Sequence, residues 1–364
     1  MDFKRAFDSV SHAILLDKLF RYGFKDVELN WFKNYFCDRQ QCVSFQGILS
    51  DLREIEVGIP QGSILGPLLF SIFINDMCSV PFLKDTKLCL YADDAAVFCK
   101  DRNINIVSKL LQKEFTKICN WVESNNLELN LKKCKSMLIG SKRKVNNAAL
   151  IIKYKREMIE QVHEFKYLGV VLDDCLTWNK HVEKVFTKIS RIIGCIRQIK
   201  HNIPHNILIM LYNALILPHI DYGIVVWGRT TKCNIKKLQK LQNKYARMVL
   251  NADFSISTNV LYTQLKWQTI VQRQQYQTYV TMFKLINDLV PTYLKEIIVF
   301  RDVNFQTRYA RSCPLKINTP HTEYYKRSLH FYGSTLWNSL PQTLKILTSF
   351  PIFKKQIRIF TLNS

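Results

Sequence analysis

The chain has 364 residues, 48% hydrophobic and 22% charged, which is enough apolar material for a sizeable core and unlike a disordered segment. Its 52 Lys and Arg against 29 Asp and Glu give a formal charge of +23, an excess that favours a polyanionic partner, nucleic acid before a membrane surface. Eleven cysteines stand singly with no Cys-x-x-Cys pair, which argues against a zinc knuckle and for reduced intracellular thiols, with Cys89 and Cys99 in apolar, buried-looking contexts. The longest apolar run, Ile64 to Ile74, is too short to span a bilayer, so no membrane partner is expected.

In chain order, Met1 to Phe7 reads as the end of a strand and a turn. Val10 to Gly23 has a helical apolar period with glycine as the stop, and Glu28 to Asp38 is a second amphipathic helix. Gln40 to Val57 alternates around Gly47 as two short strands. The turn "GIPQG" leads into a helix with Pro67 in its first turn, running to about Met77. Leu88 to Tyr91 and Ala95 to Cys99 are two apolar strands, with Ala92-Asp93-Asp94 as the hairpin tip. Asn103 to Asn126 is a long helix, and "SMLIG", "IIKY" and "YLGVVLD" read as further strands. From Asn179 the pattern is helical, over about 179–200, 205–217 and 232–250, while the last hundred residues look mixed.

The pair Asp93-Asp94 is unusual in so basic a chain. Like charges a few ångströms apart do not both stay ionised cheaply without a cation. Mg²⁺ prefers carboxylate oxygens and substrate phosphates, and a third carboxylate is needed to hold two ions for in-line transfer. Asp2, at the end of a strand able to pair with the hairpin, is the candidate. A pair alone is weak evidence, because aspartates also populate ordinary turns, the reading given to Asp173-Asp174.

The ordered segments "MDFKRAFDSVSHAILLDKL", "GIPQGSILGPLLFSIFINDM" and "CLYADDAAVF" resemble the palm motifs of reverse transcriptases, specifically those of non-LTR retrotransposons of the jockey and CR1 type. The likeness continues through "LELNLKKCKSMLIG", "FKYLGVVLDDCLTWNKHV", "LYNALILPHIDYGIVVWG" and "YGSTLWNSLP". The resemblance implies an α+β fold: a polymerase palm with an antiparallel sheet and flanking helices over 1–145, a primer-grip-like hairpin over 146–175, a helical thumb-like region over 176–250, and a C-terminal region of open role over 251–364. It implies an RNA-directed DNA polymerase that adds dNTPs to a DNA primer on an RNA template. The metals would be two Mg²⁺ ions, with Mn²⁺ as a substitute, on Asp2, Asp93 and Asp94.

By the same resemblance Phe7 packs under the sugar of the incoming nucleotide and selects dNTPs; the alternative is a core aromatic. Pro60, Gln61 and Gly62 border the nascent pair, with Tyr91 beside the substrate. Lys135 is the lysine that meets pyrophosphate, with Lys132 and Lys133 as competitors, and Tyr167, Leu168 and Gly169 grip the primer end. Asp8 reads as a cap at the opening of the first helix. Lys180, Lys184, Lys188 and Arg191 recur as a basic stripe able to track phosphates, and Lys236, Lys237, Lys240, Lys244 and Arg247 repeat the pattern; a solvated helix face has the same spacing. The chain departs from the family by beginning one residue before Asp2, without the basic fingers or the endonuclease of longer relatives. That predicts a frayed strand at Asp2 and impaired activity, with a catalytically inactive nucleic-acid-binding remnant as the alternative. The family's insertion chemistry implies residence in the nucleus.

Overall fold

The computed structural model describes residues 1–83, 86–145, 148–301 and 314–363. They fall into two compact units, Met1–Leu168 and Gly169–Ser364, the division lying inside the segment read as a primer-grip hairpin.

The first unit mixes helices with short strands. Helix α1 (His12–Arg21) starts at Ser11, whose Oγ accepts from the Ile14 N–H. It stops at Gly23, φ 98°, with Gly23 N–H bonded to Phe20 O and Phe24 N–H to Leu19 O, the two bonds of a Schellman end. Helix α2 (Asp26–Phe36) follows. Residues 40–54 give four two-residue strands rather than two longer ones: β1 (Gln40–Gln41) pairs with β4 (Arg53–Glu54), and β2 (Ser44–Phe45) with β3 (Ile48–Leu49), both antiparallel. Helix α3 (Gly66–Asn75) carries Pro67 in its first turn.

Strands β5 (Thr86–Tyr91) and β6 (Asp94–Cys99) form an antiparallel hairpin, and α4 (Ile104–Ser124) is N-capped by the Asn103 side chain. Then come β7 (Lys135–Ser136), α5 (Lys142–Val145), β8 (Lys153–Tyr154), β9 (Glu157–Met158), β10 (Glu160–Gln161) and β11 (Glu164–Tyr167). The apolar run at 137–140 adds no strand, and β7 pairs in parallel with β10. Among the described residues the named strands form two-stranded ladders, of which β7–β10 is parallel. Leu15, Leu19, Phe70, Phe73 and Met77 are fully buried in one core with Phe3 and Ala95. Each such side chain contributes about 1.5–3 kcal/mol on burial. Cys89 lies exposed and Cys99 half-buried, because β5 turns Lys87, Cys89 and Tyr91 outward.

The second unit opens with β12 (Val170–Asp173) and is otherwise mostly helical. It contains α6 (Asn179–Ile199), α7 (His205–Leu211), a π-turn run Tyr212–Ile216, α8 (Leu217–Asp221), α9 (Ile224–Trp227), α10 (Lys232–Leu250), α11 (Thr258–Leu265) and α12 (Ile270–Ile286). Shorter helices α13 (Glu323–Arg327), α14 (Ser334–Asn338) and α15 (Gln342–Lys345) precede α16 (Phe350–Leu362). The region that read as mixed is thus mainly helix among its described residues. Its core holds several hydrogen-bonded polar groups, while His181 Nε2 and Ser334 Oγ are buried without a hydrogen bond. Gln242 donates to Tyr212 OH and Gln268 O, and Tyr245 OH donates to Leu208 O. The Arg273 guanidinium grips the Asp221 carboxylate through two nitrogens, tying α12 to α8. No described helix is long and apolar enough to cross a membrane.

Candidate active site

The ladder of β5 and β6 pairs Tyr91 with Asp94, so the tip is the two residues Ala92-Asp93, and Asp94 is already a strand residue. Ala92 has φ 51° while Asp93 does not share a positive φ, the pattern of a type II′ turn. Glycine is the usual residue at that first turn position; alanine there stores backbone strain next to two carboxylates.

The opening strand is not frayed, because it is bonded on both sides. Met1 N donates to Ala95 O at 2.7 Å and Ala95 N–H donates back to Met1 O at 3.4 Å. On the other edge Asn130 N–H bonds Asp2 O, Lys4 N–H bonds Glu128 O, and Phe3 bridges Leu129. The Asp2 backbone is further held by Cys134, whose Sγ accepts from Asp2 N–H at 3.4 Å.

That register fixes the chemistry. Residues that exchange both bonds are opposite each other in an antiparallel pair, so Met1 faces Ala95 and the next position sets Asp2 across from Asp94. Phe3 and Ala95 are 4% and 1% exposed and point to the core. The alternation of a strand turns Asp2 and Asp94 to the other face together. Directly opposed Cβ atoms lie about 4.5–5.5 Å apart, where like charges destabilise.

Asp93 and Asp94 are half-buried, and their carboxylates have no hydrogen-bond or ion-pair partner among the described residues. Asp2 Oδ1 is buried with no hydrogen bond; the Lys133 Nζ lies 3.6 Å away. Unpaired carboxylate oxygens on one face are a hard-cation donor set and fit Mg²⁺. The side chains are nonetheless not drawn together: among the described residues no three His, Cys, Asp or Glu groups stand close enough to hold a metal ion.

The segment 57–63 docks on the turn that follows Asp2. Gly58 N–H bonds Val10 O, Ile59 N–H bonds Phe7 O, and a ring nitrogen of His12 is 2.7 Å from Gly58 O. Gly58 has φ 98°, and a Cβ there would lie 2.9 Å from Asp8 O, so this contact admits only glycine. Gln61 Nε2 donates to Asp8 Oδ1 at 2.8 Å. Asp8 therefore fastens the "PQG" turn and is not the helix cap, a role Ser11 fills. Pro60 is half-buried, Gln61 and Gly62 are exposed, and Gly62, φ 82°, faces open space. Phe7 is half-buried and stacks on Phe70 with ring centroids 4.3 Å apart.

Of the three lysines in "NLKKCK", Lys133 faces Asp2, while Lys135 is paired with Glu160 across the β7–β10 ladder. Lys132 lines a cleft of about 730 Å³ with Lys4, Tyr154, Lys155 and Arg156. Tyr91 is exposed. Burial, and then the charges of Cys89 and Asp94, push the Tyr167 hydroxyl above its ordinary pKa, which sets this residue near the aspartate hairpin. Leu168 and Gly169 have φ 43° and 85°, a two-residue turn of the type I′ kind. Sequence reasoning missed Cys134 and Gln61–Asp8; a buried thiol latch has no spacing signature.

Residues 1–172 match the family model described as reverse transcriptase (RNA-dependent DNA polymerase). This part of the chain is similar to reverse transcriptases. The RNA-directed DNA polymerase from mobile element jockey of Drosophila melanogaster is 29% identical over 275 residues, 73% of this chain and 30% of that protein. The probable RNA-directed DNA polymerases from transposon X-element and from transposon BS of the same species are 26% and 27% identical, covering 74% and 75% of this chain. The chain spans about a third of the length of these relatives, 30% or 31%. Reverse transcriptases of this family work with divalent metal ions, which accords with the unpaired carboxylates.

In the second unit, Lys180, Lys184, Lys188 and Arg191 are all exposed along α6, opposite its buried face of His181, Val182, Val185, Ile189, Ile193 and Ile196. None of the four cations is in an ion pair among the described residues. Helix α10 packs beside α6 and exposes Lys236, Lys237, Lys240 and Lys244, while Arg247 is half-buried.

Proposed function

We propose that the chain is the polymerase portion of a non-LTR retrotransposon reverse transcriptase, which adds dNTPs to a DNA primer on an RNA template. The observation that carries this reading is the register that opposes Asp2 and Asp94 on one face, with Asp93 at the adjoining strained turn and no hydrogen-bond or ion-pair partner for Asp93 or Asp94 among the described residues. When bound, two Mg²⁺ ions on Asp2, Asp93 and Asp94 would activate the primer hydroxyl and stabilise the leaving pyrophosphate. Residues 1–145 are the palm and 176–250 the thumb. Gly62 leaves its backbone open to the nascent pair, Gln61 holds that turn against Asp8, and Phe7 sets the floor below the sugar.

Tyr167, Leu168 and Gly169 grip the primer end, and the α6 stripe neutralises phosphates without reading bases. The insertion chemistry of such elements places the work in the nucleus. A second reading, a nucleic-acid-binding remnant without turnover, is favoured by the ungathered carboxylates and by Lys133 on Asp2. Extension of a DNA primer on an RNA template with Mg²⁺ separates the two. Incorporation by the wild type that Asp93→Asn abolishes supports the polymerase; equal signal from both, or none from either, leaves the remnant.

A further inference from the structure

We propose that Lys133 is a built-in counter-ion that holds Asp2 in the resting site, and that a divalent cation must displace it. This rests on the reading of Asp2 as a metal ligand and adds a competition to it. Asp2 Oδ1 is the buried, unbonded oxygen, and the Lys133 ammonium is the positive group paired with it. Asp94, set opposite, adds a second negative charge beside Asp2.

The backbone on both sides of the pair is fixed. Lys133 N–H and Cys134 N–H both bond Asn130 O, Asn130 N–H bonds Asp2 O, and Cys134 Sγ accepts from Asp2 N–H. Only the side chains are free to move. The Lys133 side chain is 68% exposed against 27% for Asp2, so the ammonium swings into water at little cost while the carboxylate stays. At 3.6 Å the pair lacks a hydrogen bond, a contact weak enough for a doubly charged ion to replace.

Ammonium and metal ion require the same oxygen, so their occupancy is mutually exclusive. The neighbouring lysines do not serve as substitutes, because Lys135 is tied to Glu160 and Lys132 lies in the cleft beyond Leu131.

Titration of the purified chain with Mn²⁺ at low ionic strength, with free Mn²⁺ read by electron paramagnetic resonance, tests the competition without any turnover. Lys133→Met is expected to tighten Mn²⁺ binding by about threefold, the scale of one partly exposed ion pair, and Lys133→Gln to do the same. Lys132→Met and Lys135→Met remove equal charge nearby and are expected to leave the affinity at the wild-type value; Asp2→Asn is expected to lose the site. Unchanged or weaker binding in both folded Lys133 variants, or equal tightening by Lys132→Met, overturns the counter-ion role while leaving the metal ligands standing. Absence of Mn²⁺ binding in the folded wild type and in Lys133→Met overturns the metal reading, and this inference with it.

Discussion

The chain contains two Asp-Asp pairs, and the molecule treats them oppositely. Asp173, 9% exposed, is saturated from within: its carboxylate accepts from the Cys175, Thr177 and Trp178 N–H groups at 3.2, 2.8 and 2.7 Å. It thereby holds a loop in which Leu176 and Trp178 both have positive φ. Asp93 and Asp94 receive no such bonds, although they too stand beside a strained residue, Ala92. A carboxylate whose oxygens are filled by backbone donors is a structural clamp. One left empty on a fixed strand, with another acid set opposite, is waiting for a cation.

The sharpest break between the two pairs is expected on substitution. Asp94→Asn should lower dNTP incorporation by about a thousandfold, as loss of charge stabilisation at a reacting centre does, with the fold retained by circular dichroism. Asp173→Ala should instead destabilise the second unit by about 3 kcal/mol in urea unfolding, since three N–H groups lose a charged acceptor. Comparable folding defects from both would erase the distinction.

Acid should attack the clamp side of the comparison. Burial, then the Lys184 charge, lowers the His181 pKa from 6.5 to about 4, and its Nδ1 accepts from Val171 N–H, a bond only the neutral ring can make. The unfolded chain therefore takes up this proton first. The His181 contribution is complete above about pH 6.5 and falls by about 3 kcal/mol as pH drops toward 4. His181→Phe should flatten that part of the pH–stability curve; an unchanged slope would remove His181 as its source.

Two smaller effects grade the site's own scaffold. Gly58→Ala should cost about 3 kcal/mol or more, because both its φ and the Asp8 backbone forbid a side chain. Gly62→Ala, with open space around it, should cost about 1 kcal/mol and act mainly on KM for dNTPs. Smallest for the fold is the α6 stripe. Replacing Lys180, Lys184, Lys188 and Arg191 with Gln should leave the thermal midpoint in place and reduce the logarithmic salt slope of hybrid binding by about 3.

Much of this was legible in the sequence because it is local and periodic. The helix ending at Gly23, the long helices from Ile104 and Asn179, and the hairpin at Ala92 all follow from apolar spacing and turn residues. Asp2, Asp93 and Asp94 were legible as types in order. Their opposition was not, because it depends on the Met1–Ala95 register between segments more than ninety residues apart. The sequence favours Lys135 over Lys133 for the same reason: its strand pairing with Glu160 is invisible in a run of lysines. Asp8 looked like a cap because it precedes a helix, but its partner, Gln61, arrives from a distant turn.

The central claim is that Asp2 and Asp94 oppose each other and that a divalent cation relieves the repulsion. The direct measurement is the thermal unfolding midpoint of wild type and Asp94→Asn, each with and without millimolar Mg²⁺. The account predicts that the wild type gains about 2–4 °C with Mg²⁺, and that Asp94→Asn starts higher and gains little, consistent with about 1 kcal/mol of cross-strand repulsion. An Asp94→Asn midpoint at or below wild type, with an equal Mg²⁺ response, would contradict it.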